Sequence, residues 1–363
     1  MENLGCSVKR AAALLLLLMA PLSAARAQGS TAEICIVGFD SEFATIQSAI
    51  NAVSEGGVVL VQPGTYVENV EIVRPVTLIG TDGVTIEAAD GGRAVLDVVD
   101  TEGVWIGNLA LRGEASGVWI ADSACTIMNC DILCGEVPAN TVGVGIDIYT
   151  GVEPQTPSRS IAIIGCRVQA GDVGVSVFTS SPAAVTILGC EFVGRPAAED
   201  ETWDLDFALG GFKGIGVVTT FACDLTVAAS TFDRLATGGL LVGAGIRAIS
   251  DSTFRSCGTG LIATDTAEIH LIESQFVDNT LDGLSLGCLF SSARVAGSQT
   301  LIGNVICGNG RYGIHRCAVR EGDPEERAVC FRGSANLISG NGAADVDPET
   351  LEFPEGFFTN ECE

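Results

Sequence analysis

The chain has 363 residues, among them 45 Gly, 14 Cys and 11 Pro, with 47% apolar residues and a formal charge of −26 at pH 7. So apolar a composition excludes a disordered polymer, and the strong acidity excludes a phosphate-binding surface, so no nucleic acid is expected as a partner. No stretch reaches the roughly twenty apolar residues that a membrane span requires.

Residues 1–27 read as a secretory signal: Lys9 and Arg10 precede the apolar run Ala11 to Ala20, and Ala25-Arg26-Ala27 forms an A-x-A cleavage site. Cleavage would remove Lys9, Arg10, Arg26, Glu2 and Cys6, leaving 16 basic residues, 44 acidic ones and 13 cysteines. The expected location is secreted or periplasmic. That compartment permits disulfides.

Residues 28–57 read as an N-terminal cap. Phe43, Ile46, Ile50 and Val53 recur at helical spacing, with Asp40 or Ser41 as N-cap and Gly56-Gly57 as the stop. Such a helix would cover the open end of whatever follows. The strands VVLVQ, VTLIG and VTIEA then begin a winding that runs over residues 58–345.

Within that region the stretches IGNLAL, IMNCDI, IIGCRV, ILGCEF, AASTFD, SDSTFR, IESQFV and IGNVIC align, with Asn108, Cys130, Cys166, Cys190, Ser230, Ser252, Ser274 and Asn304 in one column. The steps between these residues are 22, 36, 24, 40, 22, 22 and 30. A Gly followed by apolar residues returns eight or nine residues later, as in GVWI, GVSV, GLLV at 239, GLIA, GLSL and GIHR. A unit of about 22 residues with period-2 strands cannot bury its own apolar face, whereas stacked copies can. The expected fold is all-β: a right-handed parallel β-helix wound by one chain, of about 11 coils at about 4.8 Å per coil, with a short capping helix. A hairpin-built sandwich would instead show two-residue NG or DG turns. Residues 346–363 read as a C-terminal tail too short for a barrel or trimerisation segment.

The opening FATIQSAINAVSEGGVVLVQPGTYVENVEI, followed by PVTLIG, resembles that of pectin-lyase-like β-helix proteins, as found in pectin methylesterases and NosD-like periplasmic repeat proteins. The resemblance implies parallel β-helix repeats and a polysaccharide or cell-surface glycan as partner. The catalytic motifs of the superfamily do not carry over. Asp206-Phe207-Ala208-Leu209-Gly210 lacks a partner aspartate, Val118-Trp119-Ile120-Ala121-Asp122-Ser123 places its aspartate one residue late, and Asp323-Pro324-Glu325-Glu326 lacks the histidine of an epimerase motif. A one-residue slip in a strand reverses the face.

Departures from the 22-residue unit mark insertions, near 134–144 and 194–213 on one corner and near 149–160, 288–299 and 317–332 on the opposite one. The 194–213 segment gathers Glu199, Asp200, Glu201, Asp204 and Asp206 around Trp203 and ends in Lys213, the only lysine after residue 27. Glu199, Asp200 and Glu201 are candidate Ca²⁺ ligands; no other cofactor is evident. Asp147, Trp203, Asp204, Asp206 and Lys213 are candidate groove contacts, the alternative being a solvated acidic loop anchored by Trp203. Asp147 as an outward strand carboxylate also fits a purely structural role. His315, beside Arg311 and Arg316, fits a salt-bridged surface better than a polyanion site, and His270 reads as a strand residue. Cys317 and Cys330 are spaced for a disulfide, with Cys288 competing for Cys317, whereas Cys130, Cys166 and Cys190 read as buried thiols. These features favour an exported protein that recognises carbohydrate without catalysis. The alternative is a lyase, epimerase or esterase acting on uronic-acid polymers.

Overall fold

Three short strands make up each coil, and their pairing follows from the apolar alternation of the chain. In the computed structural model, which describes residues 33–135, 143–151, 159–194, 214–243, 245–263, 267–286, 298–316, 330–346 and 353–358, one coil runs through Ala94–Val99, Val104–Gly107 and Ala110–Gly113. Ser116–Ala121 then opens the next. Among the described residues each strand pairs in parallel with its equivalent in a neighbouring coil, as where Val118 sits between Leu96 and Ile146. The result is three parallel sheets of 11–12 strands, a right-handed parallel β-helix. We call the sheets first, second and third in the order of that coil.

Alternate residues point inward and stack on their counterparts. The second sheet contributes Ile106, Ile127, Ile163, Ile187, Val227, Ile249, Leu271 and Leu301, all buried. In the third sheet Phe192, Phe232, Phe254 and Phe276 form a column of nearly parallel rings with centroids 4.4–4.8 Å apart. An aromatic ring at the coil spacing stacks on the next at no cost in register.

The corner between the second and third sheets repeats one backbone device. Asn108, Asn129, Gly165, Gly189, Ala229, Asp251, Glu273, Gly303 and Ala335 all adopt positive φ, between 49° and 65°. The residue after each points inward, and this is the true ladder column: Leu109, Cys130, Cys166, Cys190, Ser230, Ser252, Ser274, Asn304 and Asn336. The sequence alignment was therefore one residue out at its first member. Asn108 takes the left-handed position, which Asn tolerates, and Leu109 fills the ladder. In the lower coils the side-chain oxygens of Ser230, Ser252, Ser274, Asn304 and Asn336 each accept the backbone N–H of the residue one coil earlier, at 3.0–3.3 Å. A second ladder, not seen in the sequence, follows at the next corner: Asn279, Asn309 and Asn341 accept in the same way from Cys257, Asn279 and Asn309.

The entry to the first sheet is a glycine column. A Cβ on Gly145, Gly174, Gly238 or Gly260 would lie 2.5 Å from the carbonyl oxygen of the next glycine in the column. The register assigns Gly238 to this column and pairs Gly239 with Val217, correcting the GLLV alignment by one residue.

The winding begins earlier than VVLVQ. Ile34–Val37 already pairs in parallel with Val58–Val61. A helix, α1 (Ile46–Ala52), joins them and buries Ile46, Ala49 and Ile50 against the first coil. Its N-cap is Thr45, not Asp40 or Ser41, because a turn closed by Gly38 N–H donating to the Phe43 carbonyl holds those two residues outside the helix. The Glu68 carboxylate accepts from Ile46 and Gln47 N–H, completing the helix start. At the other end Phe353 and Phe357 pack on Phe331, with centroids 4.7 and 5.9 Å away, so part of the C-terminal stretch closes the last coil.

Gly174→Ala is expected to destabilise by about 1–3 kcal/mol through overpacking, since its Cβ would also meet the Phe192 ring at 2.8 Å. Denaturant melts of the two proteins check this.

Candidate functional site

The outward face of the first sheet changes character along the axis. One outward column runs, coil by coil, through Glu71, Asp97, Trp119, Asp147, Ser176, Val218, Leu240, Ile262, Ser285 and His315. The upper coils are acidic and aromatic. The middle is apolar, with Val218, Leu240 and Ile262 packed against Val144, Val173 and Ile215 of the neighbouring column. The lower coils are polar again.

In the upper zone Trp119 lies between Asp97 and Asp147, which are two coils and hence about 10 Å apart. Beside them Tyr149 and Phe178 stack with centroids 6.1 Å apart and planes 6° from parallel. Trp119, Tyr149 and Phe178 are exposed by 38%, 38% and 44%. Apolar rings on this scale are normally covered, so three adjoining on one face form a ready contact surface. The carboxylates are the polar partners. Burial pushes Asp147 above the usual carboxylate range, partly offset by a hydrogen bond with Ser176. Asp97 is raised mainly by burial and further by Glu71, against the pull of Arg93, whose Nη2 donates to Oδ2 at 2.9 Å.

Of the groove contacts expected from sequence, the structure places Asp147 on this strip. Trp203, Asp204, Asp206 and Lys213 lie outside the described residues, as do the Ca²⁺ candidates Glu199, Asp200 and Glu201. Among the described residues no group of three His, Cys, Asp or Glu side chains is placed to hold a metal ion. The sequence reading missed Asp97, Trp119, Tyr149 and Phe178 as members of one surface. Their shared signal is the triplet of two apolar residues flanking an outward one, in Leu96-Asp97-Val98, Val118-Trp119-Ile120 and Ile146-Asp147-Ile148.

In the lower zone Asp282 is fully buried and receives Arg311 Nε at 2.8 Å and the Tyr312 N–H at 3.2 Å. His315 Nδ1 lies 3.2 Å from its Oδ2. Burial raises the Asp282 carboxyl, but His315 and Arg311 together hold it below the usual range. His315 thus faces a carboxylate of the preceding coil, while the acids that follow it in sequence lie outside the described residues. His270 Nε2 lies 3.2 Å from Glu268 Oε1.

Cys130, Cys166 and Cys190 are buried in the ladder, with Sγ of Cys166 and Cys190 donating to carbonyls. Burial pushes the thiols of Cys125, Cys134 and Cys257 up to about 12. Among the described residues no disulfide is present. Cys288 and Cys317 lie outside the described residues, so the expected pairing with Cys330 falls there too. A cleft of about 470 Å³ opens beside Arg112, Glu87 and Glu114, but Arg112 is committed to Asp131, so the cleft lacks a free converging set.

An axial strip of carboxylates and aromatic rings on a parallel β-helix is the class of surface that this fold and site define. No family model matches the chain. Its fold is similar to those of solved parallel β-helix proteins. The A-module of a mannuronan C-5 epimerase from Azotobacter vinelandii superposes with a TM-score of 0.50 at 16% identity, covering 85% of this chain and 95% of that one. A pectin methylesterase from Erwinia chrysanthemi gives 0.48 at 12%, covering 74% and 93%. A cell surface glycoprotein from Methanothermus fervidus is 28% identical over 119 residues, 32% of this chain and 20% of that protein's length. Such identities to solved structures establish fold and not chemistry.

Because the Asp147 carboxyl is easier to protonate folded than unfolded, its ionised form opposes folding. That penalty is absent below the unfolded pKa and is fully present above the folded one. Asp147→Asn is therefore expected to raise the melting temperature at pH 7, with the gain vanishing at pH 3. Thermal melts at the two pH values read this directly.

Proposed function

We propose that this is an exported β-helix protein that recognises carbohydrate through the outward face of its first sheet. The observation that carries the reading is Trp119 set between Asp97 and Asp147 beside the Tyr149–Phe178 stack. An apolar ring accepts the C–H face of a pyranose, and flanking carboxylates accept its hydroxyls, the usual division of labour in a ligand site. Residues 1–27, which fit a secretory signal in sequence, support export. The cell surface glycoprotein that the chain resembles over part of its length fits the same setting.

Trp203, Asp204, Asp206 and Lys213 are proposed as further contacts, and Glu199, Asp200 and Glu201 as Ca²⁺ ligands. Calcium titration by calorimetry tests the latter. No heat above that of a Glu199→Gln/Asp200→Asn/Glu201→Gln variant would remove the ion from the proposal.

The test of recognition is proton NMR of uronic-acid and neutral glycans with the protein, with and without Ca²⁺. Line broadening by one glycan is expected, with about tenfold weaker binding for Trp119→Ala, the loss of a contact worth about 1.4 kcal/mol. Binding unchanged in Trp119→Ala would move the site elsewhere. A polysaccharide-active enzyme is the second reading, favoured by the raised carboxyls of Asp97 and Asp147, which suit proton transfer. New unsaturated, epimerised or de-esterified signals in the same spectra would establish it.

A further inference from the structure

The lower end of the same outward face holds a cluster that recognition does not use. Ser285 and His315 occupy equivalent positions on adjacent strands, paired in register, so their Cα atoms lie about 4.8 Å apart with both side chains on the outward face. His315 Nδ1 is buried and lies 3.2 Å from Asp282 Oδ2. With Nδ1 turned to Asp282, Nε2 is the ring's other nitrogen. The ring is held in place by stacking on Tyr312, with centroids 4.9 Å apart and planes 15° from parallel. Tyr312 in turn carries the Arg311 guanidinium 5.6 Å above its ring. Arg311 completes the support by pairing bidentately with Asp282.

From this arrangement we infer that Ser285, His315 and Asp282 form a nucleophile–base–carboxylate array that hydrolyses small carboxylic esters. Geometry, not motif, identifies such an array, which recurs on unrelated folds. Ser285 and His315 are the catalytic residues, and Asp282 and Arg311 are positioning residues. Ser285 Oγ attacks the ester carbonyl carbon while Nε2 takes its proton. The tetrahedral intermediate collapses, the C–O bond to the alcohol breaks, and His315 returns the proton to the departing alkoxide. Water then adds to the acyl-serine with His315 again as base, releasing the carboxylic acid and restoring Ser285. One ester and one water give one acid and one alcohol, with no oxidant or metal in the balance. Against the rise from burial, the hydrogen bond from His315 and the Arg311 guanidinium hold the Asp282 carboxyl below its usual range, so it stays ionised, as stabilising an imidazolium requires. Arg311 adds positive charge beside the site, favouring the anionic intermediate.

Exposure sets the substrate class. Ser285 keeps only 4% of its surface exposed and the His315 side chain 18%, so the acyl group must be acetyl-sized to reach the hydroxyl. This activity goes beyond carbohydrate recognition. It can be tested without a glycan, so the failure of either reading leaves the other standing.

The test incubates the protein with a fluorophosphonate probe, maps the adduct by mass spectrometry, and follows hydrolysis of 4-nitrophenyl acetate. The expected result is a single adduct on Ser285 and hydrolysis above buffer that falls at least 100-fold in Ser285→Ala and in His315→Gln. The wild-type rate should rise with pH, as general-base catalysis requires. Asp282→Asn should lower the rate and distort that pH profile. Absence of an adduct on Ser285 in the wild-type protein, or hydrolysis undiminished in Ser285→Ala, overturns the proposal. The wild-type labelling decides the matter even where a variant fails to fold.

Discussion

Each residue in this protein is constrained chiefly by the residue one coil away. Parallel strands at about 4.8 Å place like positions over one another, so a side chain must be compatible with its own column before anything else. Where the column can be satisfied by a hydroxyl or an amide, a ladder forms, as from Ser230 to Asn336. Where the main chains themselves approach, only glycine fits, as at Gly145, Gly174, Gly238 and Gly260. Rings stack where there is room for them, from Phe192 to Phe276. Stability of this kind is close to a sum of nearest-neighbour terms, and the two ends need separate covers. α1 supplies one and the Phe331–Phe353–Phe357 cluster the other.

Periodicity made the fold legible in the sequence because the constraint repeats, and each repeat reports it again. The slips came where a single column was read by residue type alone. Asn108 looked like a ladder residue, but the left-handed backbone position just before the ladder accepts Asn equally well. The second ladder at Asn279, Asn309 and Asn341 escaped notice because its upper coils carry Cys257 and Leu235 instead. The helix start was misplaced because Asp40 and Ser41 are good caps by type, and the turn that withholds them is a tertiary contact with the first strand.

The candidate surface was less legible for a related reason. Trp119, Tyr149 and Phe178 belong to three coils separated by insertions of unequal length, and only the exact pairing of strands brings them together. Composition drew attention to the acidic segment 194–213, where unusual residues are close in sequence. The structure directs it to residues close in space, among which Asp147 alone belongs to both readings. His315 repeats the lesson: its neighbours in sequence are arginines, yet its carboxylate partner, Asp282, comes from the preceding coil.

The constant coil spacing makes the outward face a graduated scale. A polymer lying along the axis would meet the exposed rings of the upper coils, whereas Val218, Leu240 and Ile262 further along are buried. Such a polymer can keep every unit in contact only if its own repeat is commensurate with the coil. Selection among polymers then depends on their pitch as well as on their functional groups, and lengthening the helix by a coil would extend the scale without recalibrating it.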